Sequence, residues 1–137
     1  MKLNPSARLL AAAALLGLTG VGLGALGAHA FRPQLDAAGY ESFTTASRYQ
    51  LYHALAVLVL ALAGPGRIGS RLLGWIGGLW AVGTVCFSGS IYLLVLLQLK
   101  AVFWVTPLGG SLLMVGWFLL FLAAWPARST GTGVPRT

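Results

Sequence analysis

Charge is what this sequence has least of. Only 8% of its 137 residues are charged, and the acids are Asp36 and Glu41 alone. Soluble domains carry about 25% charged residues, so this chain cannot cover a water-facing surface. Cysteine is nearly absent: Cys86 stands by itself, which excludes an internal disulfide and a multi-cysteine metal site. It reads as a small apolar filler within a helix. The nine basic residues form no run or stripe, so the net charge of +7 does not point to nucleic acid. No P-loop, dinucleotide fingerprint or nucleophile–base–acid set occurs, and the chain reads as non-enzymatic.

What the sequence has is apolar length. Hydrophobic residues make up 58% and mean hydropathy is +0.84. That leaves room for roughly four spans of about 20 residues with short connections. The runs place them at about 9–29, 45–63, 72–97 and 107–125, in one domain over 1–126. The fold class expected is all-α: a polytopic membrane protein of four transmembrane helices, with a disordered tail over 127–137 rich in Pro, Gly, Ser and Thr. Lys2 and Arg8 before an apolar run, and Ala28-His29-Ala30 after it, also fit a cleaved signal peptide. The run exceeds the roughly 7–15 residues of a signal core, which favours a retained helix. Between the first two spans, Pro33 suits the start of a short interfacial helix. Gly64-Pro65-Gly66 ends the second span, and Pro107 starts the fourth.

Basic residues set the orientation. Lys2, Arg8, Arg67, Arg71, Arg128 and Arg136 fall on one side, against Arg32, Arg48 and Lys100 with both acids on the other. The positive-inside rule then puts both termini in the cytoplasm. Trp75 and Trp125 fall at the inner interface and Trp104 at the outer one, as aromatic belts require.

With that topology the polar residues gather in the outer half. His29 ends the first helix. Tyr49, Gln50 and His53 lie early in the second, with Tyr49 and Gln50 four and three residues before His53 and so on one helical face. Ser88, Ser90 and Tyr92 lie late in the third, and Thr106 opens the fourth. Polar groups in a bilayer cost less when they meet each other, so these residues are a candidate cluster, structural or binding. His53 is expected to bond the third helix at Ser88 or Tyr92. Arg48 reads as snorkelling to headgroups or pairing with Glu41 or Asp36, and His29 as bonding the last carbonyls of its helix or contacting water. His29 and His53 as paired haem or metal ligands is the sharper alternative. For helix packing, Gly20 with Gly24 and Gly74 with Gly78 stand in GxxxG spacing, and Gly109-Gly110 suits a close contact.

Several linked stretches resemble a known family. In order they are Gly24-Ala25-Leu26-Gly27-Ala28-His29, Thr45-Ala46 with Tyr49-Gln50 and His53-Ala54-Leu55, Phe87-Ser88-Gly89-Ser90 with Tyr92, and Thr106-Pro107-Leu108-Gly109-Gly110 with Gly116-Trp117. Together they resemble the small four-helix membrane family called domain of unknown function 423, the YgdD-like inner membrane proteins, over about 15–125. The resemblance implies four spans, a retained first helix and a bacterial inner-membrane location, and it implies no activity. The functional expectation is a non-enzymatic protein that binds membrane lipid, a membrane protein partner or its own copies, with no nucleic acid and no resident cofactor. The alternatives are a haem, quinone or metal module at His29 and His53, and a transport component that gains its path by oligomerising.

Overall fold

The computed structural model describes residues 4–66 and 68–125. The expected disordered tail over 127–137 lies outside the described residues. Helix α1 runs Pro5–Leu26. Asn4 caps it by accepting the Ala7 N–H at 2.7 Å, and Pro5 occupies the first turn, where its missing N–H is harmless. A π-helical turn over Gly27–Phe31 extends α1, closed by the Arg32 N–H donating to the Gly27 carbonyl at 3.0 Å. Helix α2 runs Ala37–Ala63, capped by Asp36, whose carboxylate accepts the Gly39 N–H at 2.7 Å. Gly64 and Gly66, both at positive φ, turn the chain into α3, Gly69–Leu96. A 3₁₀ turn at Lys100–Val102 leads into α4, Val105–Ala124.

The connection after α1 differs from expectation. No separate interfacial helix begins at Pro33. Instead α2 starts at Ala37, eight residues before the expected second span, because the Asp36 cap makes a better helix start than Pro33. At about 1.5 Å per residue, the 27 residues of α2 reach about 40 Å. The hydrocarbon core is about 30 Å thick. The first two turns of α2 therefore project into the headgroup layer.

All four helices are long and apolar enough to cross a membrane. Their outer faces carry Leu18, Leu62 and Met114, each more than two-thirds exposed, a surface suited to lipid and not to water. The protein is a polytopic membrane protein. One end holds the start of α1, the α2–α3 turn and the end of α4, and is called the tail end below. The other, the loop end, holds the α1–α2 and α3–α4 connections. Sequence neighbours pack antiparallel: α1 on α2, α2 on α3, α3 on α4, with α1 also touching α3. The tail half has an apolar core that includes Leu9, Ala13, Val57, Leu73, Ile76, Trp80 and Leu113.

Close approach rests on glycines, only partly those expected. A Cβ on Gly20 would meet Leu51 at 2.9 Å, and one on Gly24 would meet Ser47 at 3.1 Å. A Cβ on Gly109 would collide with the Phe87 backbone, so α3 and α4 touch main chain to main chain. Gly110 has ordinary clearance, 3.7 Å from the Phe87 ring. A Cβ on Gly74 or Gly78, both expected at a helix contact, would meet nothing within 4 Å among the described residues. The α3 glycines that do meet another helix are Gly77, against Leu9, and Gly83, against the Gly109 carbonyl.

Candidate lipid-facing groove

The polar residues of the loop half do not form one cluster. They divide among the seams around α2 and α3. Gln50 holds the seam with α1: its Nε2 donates to the Leu16 carbonyl at 3.0 Å and to Thr19 Oγ1 at 2.7 Å. Its Oε1 accepts from Tyr92 Oη at 2.9 Å, so one amide joins α1, α2 and α3. Ser88 donates to the Ala46 carbonyl at 2.8 Å, tying α3 to α2. Ser90 and Thr106 place their hydroxyls 2.7 Å apart between α3 and α4.

His53 departs from expectation. It bonds neither Ser88 nor Tyr92. Nδ1 lies 2.9 Å from the carbonyl of Tyr49, one turn back on α2. Nε2 accepts the Trp117 indole N–H at 3.2 Å, from α4. An indole nitrogen only donates, so Nε2 is the acceptor and the ring proton sits on Nδ1, facing the carbonyl. The Trp117 ring lies tilted against that of Trp80 of α3, centroids 4.4 Å apart. His53 and Gln50, three residues apart, thus serve different seams of α2. His29 is exposed on the π turn and does not line the groove that His53 faces. With both His53 nitrogens committed to protein groups, a paired histidine site finds no support. Among the described residues, no three His, Cys, Asp or Glu side chains gather as a metal site.

Around the His53–Trp117 bridge the bundle opens. Toward the loop end α2 and α4 stand apart on either side of α3, leaving a groove of about 1150 Å³. The α2 wall presents Glu41, Thr45, Tyr49 and His53, each four residues from the next and so on one helical stripe. Phe87, Ile91 and Val95 of α3 form the floor, and Thr106, Gly110, Met114 and Trp117 of α4 the far wall. Tyr49 lies with its ring 5.0 Å from that of Phe87. Among the described residues, Glu41 is the one charged side chain lining the groove. From Glu41 to His53 is 12 residues of helix, about 18 Å along the axis. One leaflet of hydrocarbon is half of about 30 Å. The groove is therefore one leaflet long, with Glu41 at headgroup level.

The sequence singled out neither wall of this groove as such. Trp117 was the missed partner of His53. Its signal was its place: a tryptophan in the middle of a span lies away from the interfacial belts and needs a polar partner for its N–H. Thr19, the missed partner of Gln50, offered no comparable sign, being one hydroxyl in an apolar helix.

Residues 23–110 match the family described as Protein of unknown function (DUF423). The chain belongs to this family. Most of the groove lies within the matched stretch, with Trp117 just beyond it. Among the curated relatives, the inner membrane protein YgdD of Escherichia coli K12 is 40% identical over 119 residues, covering 87% of this chain and 90% of the relative. A UPF0382 membrane protein of Staphylococcus aureus is 37% identical over 113 residues, covering 82% of this chain and 90% of its own. One from Staphylococcus epidermidis is 39% identical over 111 residues, covering 80% and 88%. No solved structure matches. Like these DUF423 relatives, the chain is an integral membrane protein without an assigned biochemical role.

Proposed function

We propose that this DUF423 protein is a non-enzymatic lipid-binding protein of the bacterial inner membrane, holding one bilayer lipid in the groove between α2 and α4. The observation that carries this reading is the groove itself: one leaflet long, floored by apolar side chains, and closed toward mid-membrane by the His53–Trp117 bridge. Ligand sites are concave, largely apolar and fitted with a few polar groups, and the polar stripe of α2 supplies those. The glycine contacts are consumed inside the bundle, at Gly20, Gly24, Gly77, Gly83 and Gly109, so internal packing already accounts for them. His53 has both nitrogens bonded and is not free to act as a base, which supports the non-enzymatic reading. The distribution of basic residues along the sequence, six of the nine before the first span, between the second and third, or after the fourth, supports an orientation with both termini cytoplasmic. The groove then opens in the outer leaflet of that membrane.

Native mass spectrometry of protein released from nanodiscs tests the reading. The protein should carry one lipid. Gly110→Leu adds bulk toward the groove without a backbone clash, and should lower retention while the protein stays folded. Full retention by that variant would reject the groove as the site.

A further inference from the structure

Resting on that reading, the structure also speaks to the head of the lipid. We infer that the groove selects a phospholipid with a primary-amine headgroup, its ammonium held by Glu41. Among the described residues, Glu41 is the one charged residue lining the groove, and no cation lines it. An anionic headgroup would meet a carboxylate with nothing to offset it. A primary ammonium brings a positive charge and three N–H donors, and a carboxylate accepts them as charge-assisted hydrogen bonds.

Depth supports the same assignment. The hydrocarbon layer takes about 20 residues of α2. Counted back from Ala63, that layer ends near Thr44, which leaves Glu41 one turn above it, where an ammonium resides. The Thr45 and Tyr49 hydroxyls sit one and two turns deeper on the same stripe, about 6 and 12 Å along the axis. A lipid presents its phosphate and ester oxygens below the amine and close to the hydrocarbon boundary, which is the level of the Thr45 hydroxyl, and a hydroxyl can donate to either. Phe87, level with Tyr49, and Met114, nearer the His53–Trp117 bridge, offer an apolar bed for an acyl chain. The bilayer is the source of this ligand, because the groove is open along its length to the hydrocarbon.

The experiment reconstitutes the full chain in nanodiscs of equimolar phosphatidylethanolamine, phosphatidylcholine and phosphatidylglycerol with matched acyl chains, and reads the retained lipid by native mass spectrometry. Phosphatidylcholine keeps the charge and net neutrality of the amine lipid but has no N–H. Phosphatidylethanolamine should exceed each of the others about two- to fivefold, the range for an interfacial ion pair. Glu41→Gln should bring it to parity with phosphatidylcholine while one lipid per chain is still retained. Glu41 is exposed, so the change leaves packing untouched. Equal retention of all three by the unaltered chain, a preference for phosphatidylglycerol, or an amine preference that survives Glu41→Gln would each overturn the headgroup assignment and leave the groove reading standing. No lipid retained, or equal retention by Gly110→Leu, would overturn the groove and the assignment together.

Discussion

At Gln50 one side chain bonds partners on two other helices, and the amide has no redundancy. Gln50→Leu would remove all three of its bonds and take from the buried Tyr92 hydroxyl its acceptor at 2.9 Å. An orphaned buried polar group costs about 1–3 kcal/mol. The His53–Trp117 bond stands alone and at 3.2 Å is long. Intramembrane hydrogen bonds average about 0.6 kcal/mol and reach about 1.7. Thermal unfolding in detergent should therefore rank Gln50→Leu well below His53→Leu. His53→Leu and Trp117→Phe should cost less together than the sum of the two alone, since they share one bond. Sequence spacing showed that Tyr49 and His53 share a face, and they do. It also placed Gln50 with His53, which the structure separates. Residues three apart on a helix differ by about 60° around its axis. That is enough to aim one at α1 and α3 and the other at α4, and only the packing decides which neighbour stands where.

At the scale of the helix, glycine spacing located the right elements and the wrong faces of α3. Gly74 and Gly78 stand four apart, and so do Gly20 and Gly24, but only the latter pair meets a helix. Spacing is a property of one helix, whereas contact depends on how two are rotated. Alanine substitution separates the two kinds. At Gly109 and Gly116, where a Cβ would strike the Phe87 backbone and the Trp80 indole, overpacking should cost about 1–3 kcal/mol or more. At Gly74 and Gly78, alanine should be neutral or stabilise by about 0.5–1 kcal/mol, the helix-propensity gain. The same unfolding assay reads both. The end of α3 has its own strained residue. Gln98 adopts φ +52, and Leu99 donates back to the Leu93 carbonyl at 3.3 Å, a helix stop usually built on glycine. Gln98→Gly should stabilise the protein by about 1 kcal/mol, because the left-handed conformation costs a side-chain-bearing residue about 1–2.

For the whole molecule, length and hydropathy were enough to read four spans, and the helices fall within a few residues of them except at the start of α2. The groove was not legible. It exists because α2 and α4 flank α3 without closing over it near the loop end, and hydropathy cannot report a gap between helices. Orientation makes a separate expectation. With both termini cytoplasmic, a cysteine at Ala38 should react with an impermeant thiol reagent from outside intact spheroplasts, and one at Ser70 only after lysis. The reverse pattern would move the groove to the inner leaflet. Leu9, Ala13 and Leu16 of α1 are buried, so the intact mass of membrane-extracted protein should include the residues before Phe31.

The π turn at Gly27–Phe31 bears on how this chain tolerates changes in length. A π turn accommodates one residue more than the regular helix it interrupts. Loss of one residue elsewhere in a helix rotates everything beyond it by about 100°. In α1, deleting Ala13 would turn Leu9 away from Gly77 or swing Gly20 and Gly24 away from α2, and the bundle should fail to assemble. Deleting Ala30 should instead draw the π turn into ordinary α-helix and leave both flanks in register. Of single deletions scanned along α1 and scored by detergent-resistant folding, those between Ala28 and Phe31 should survive best.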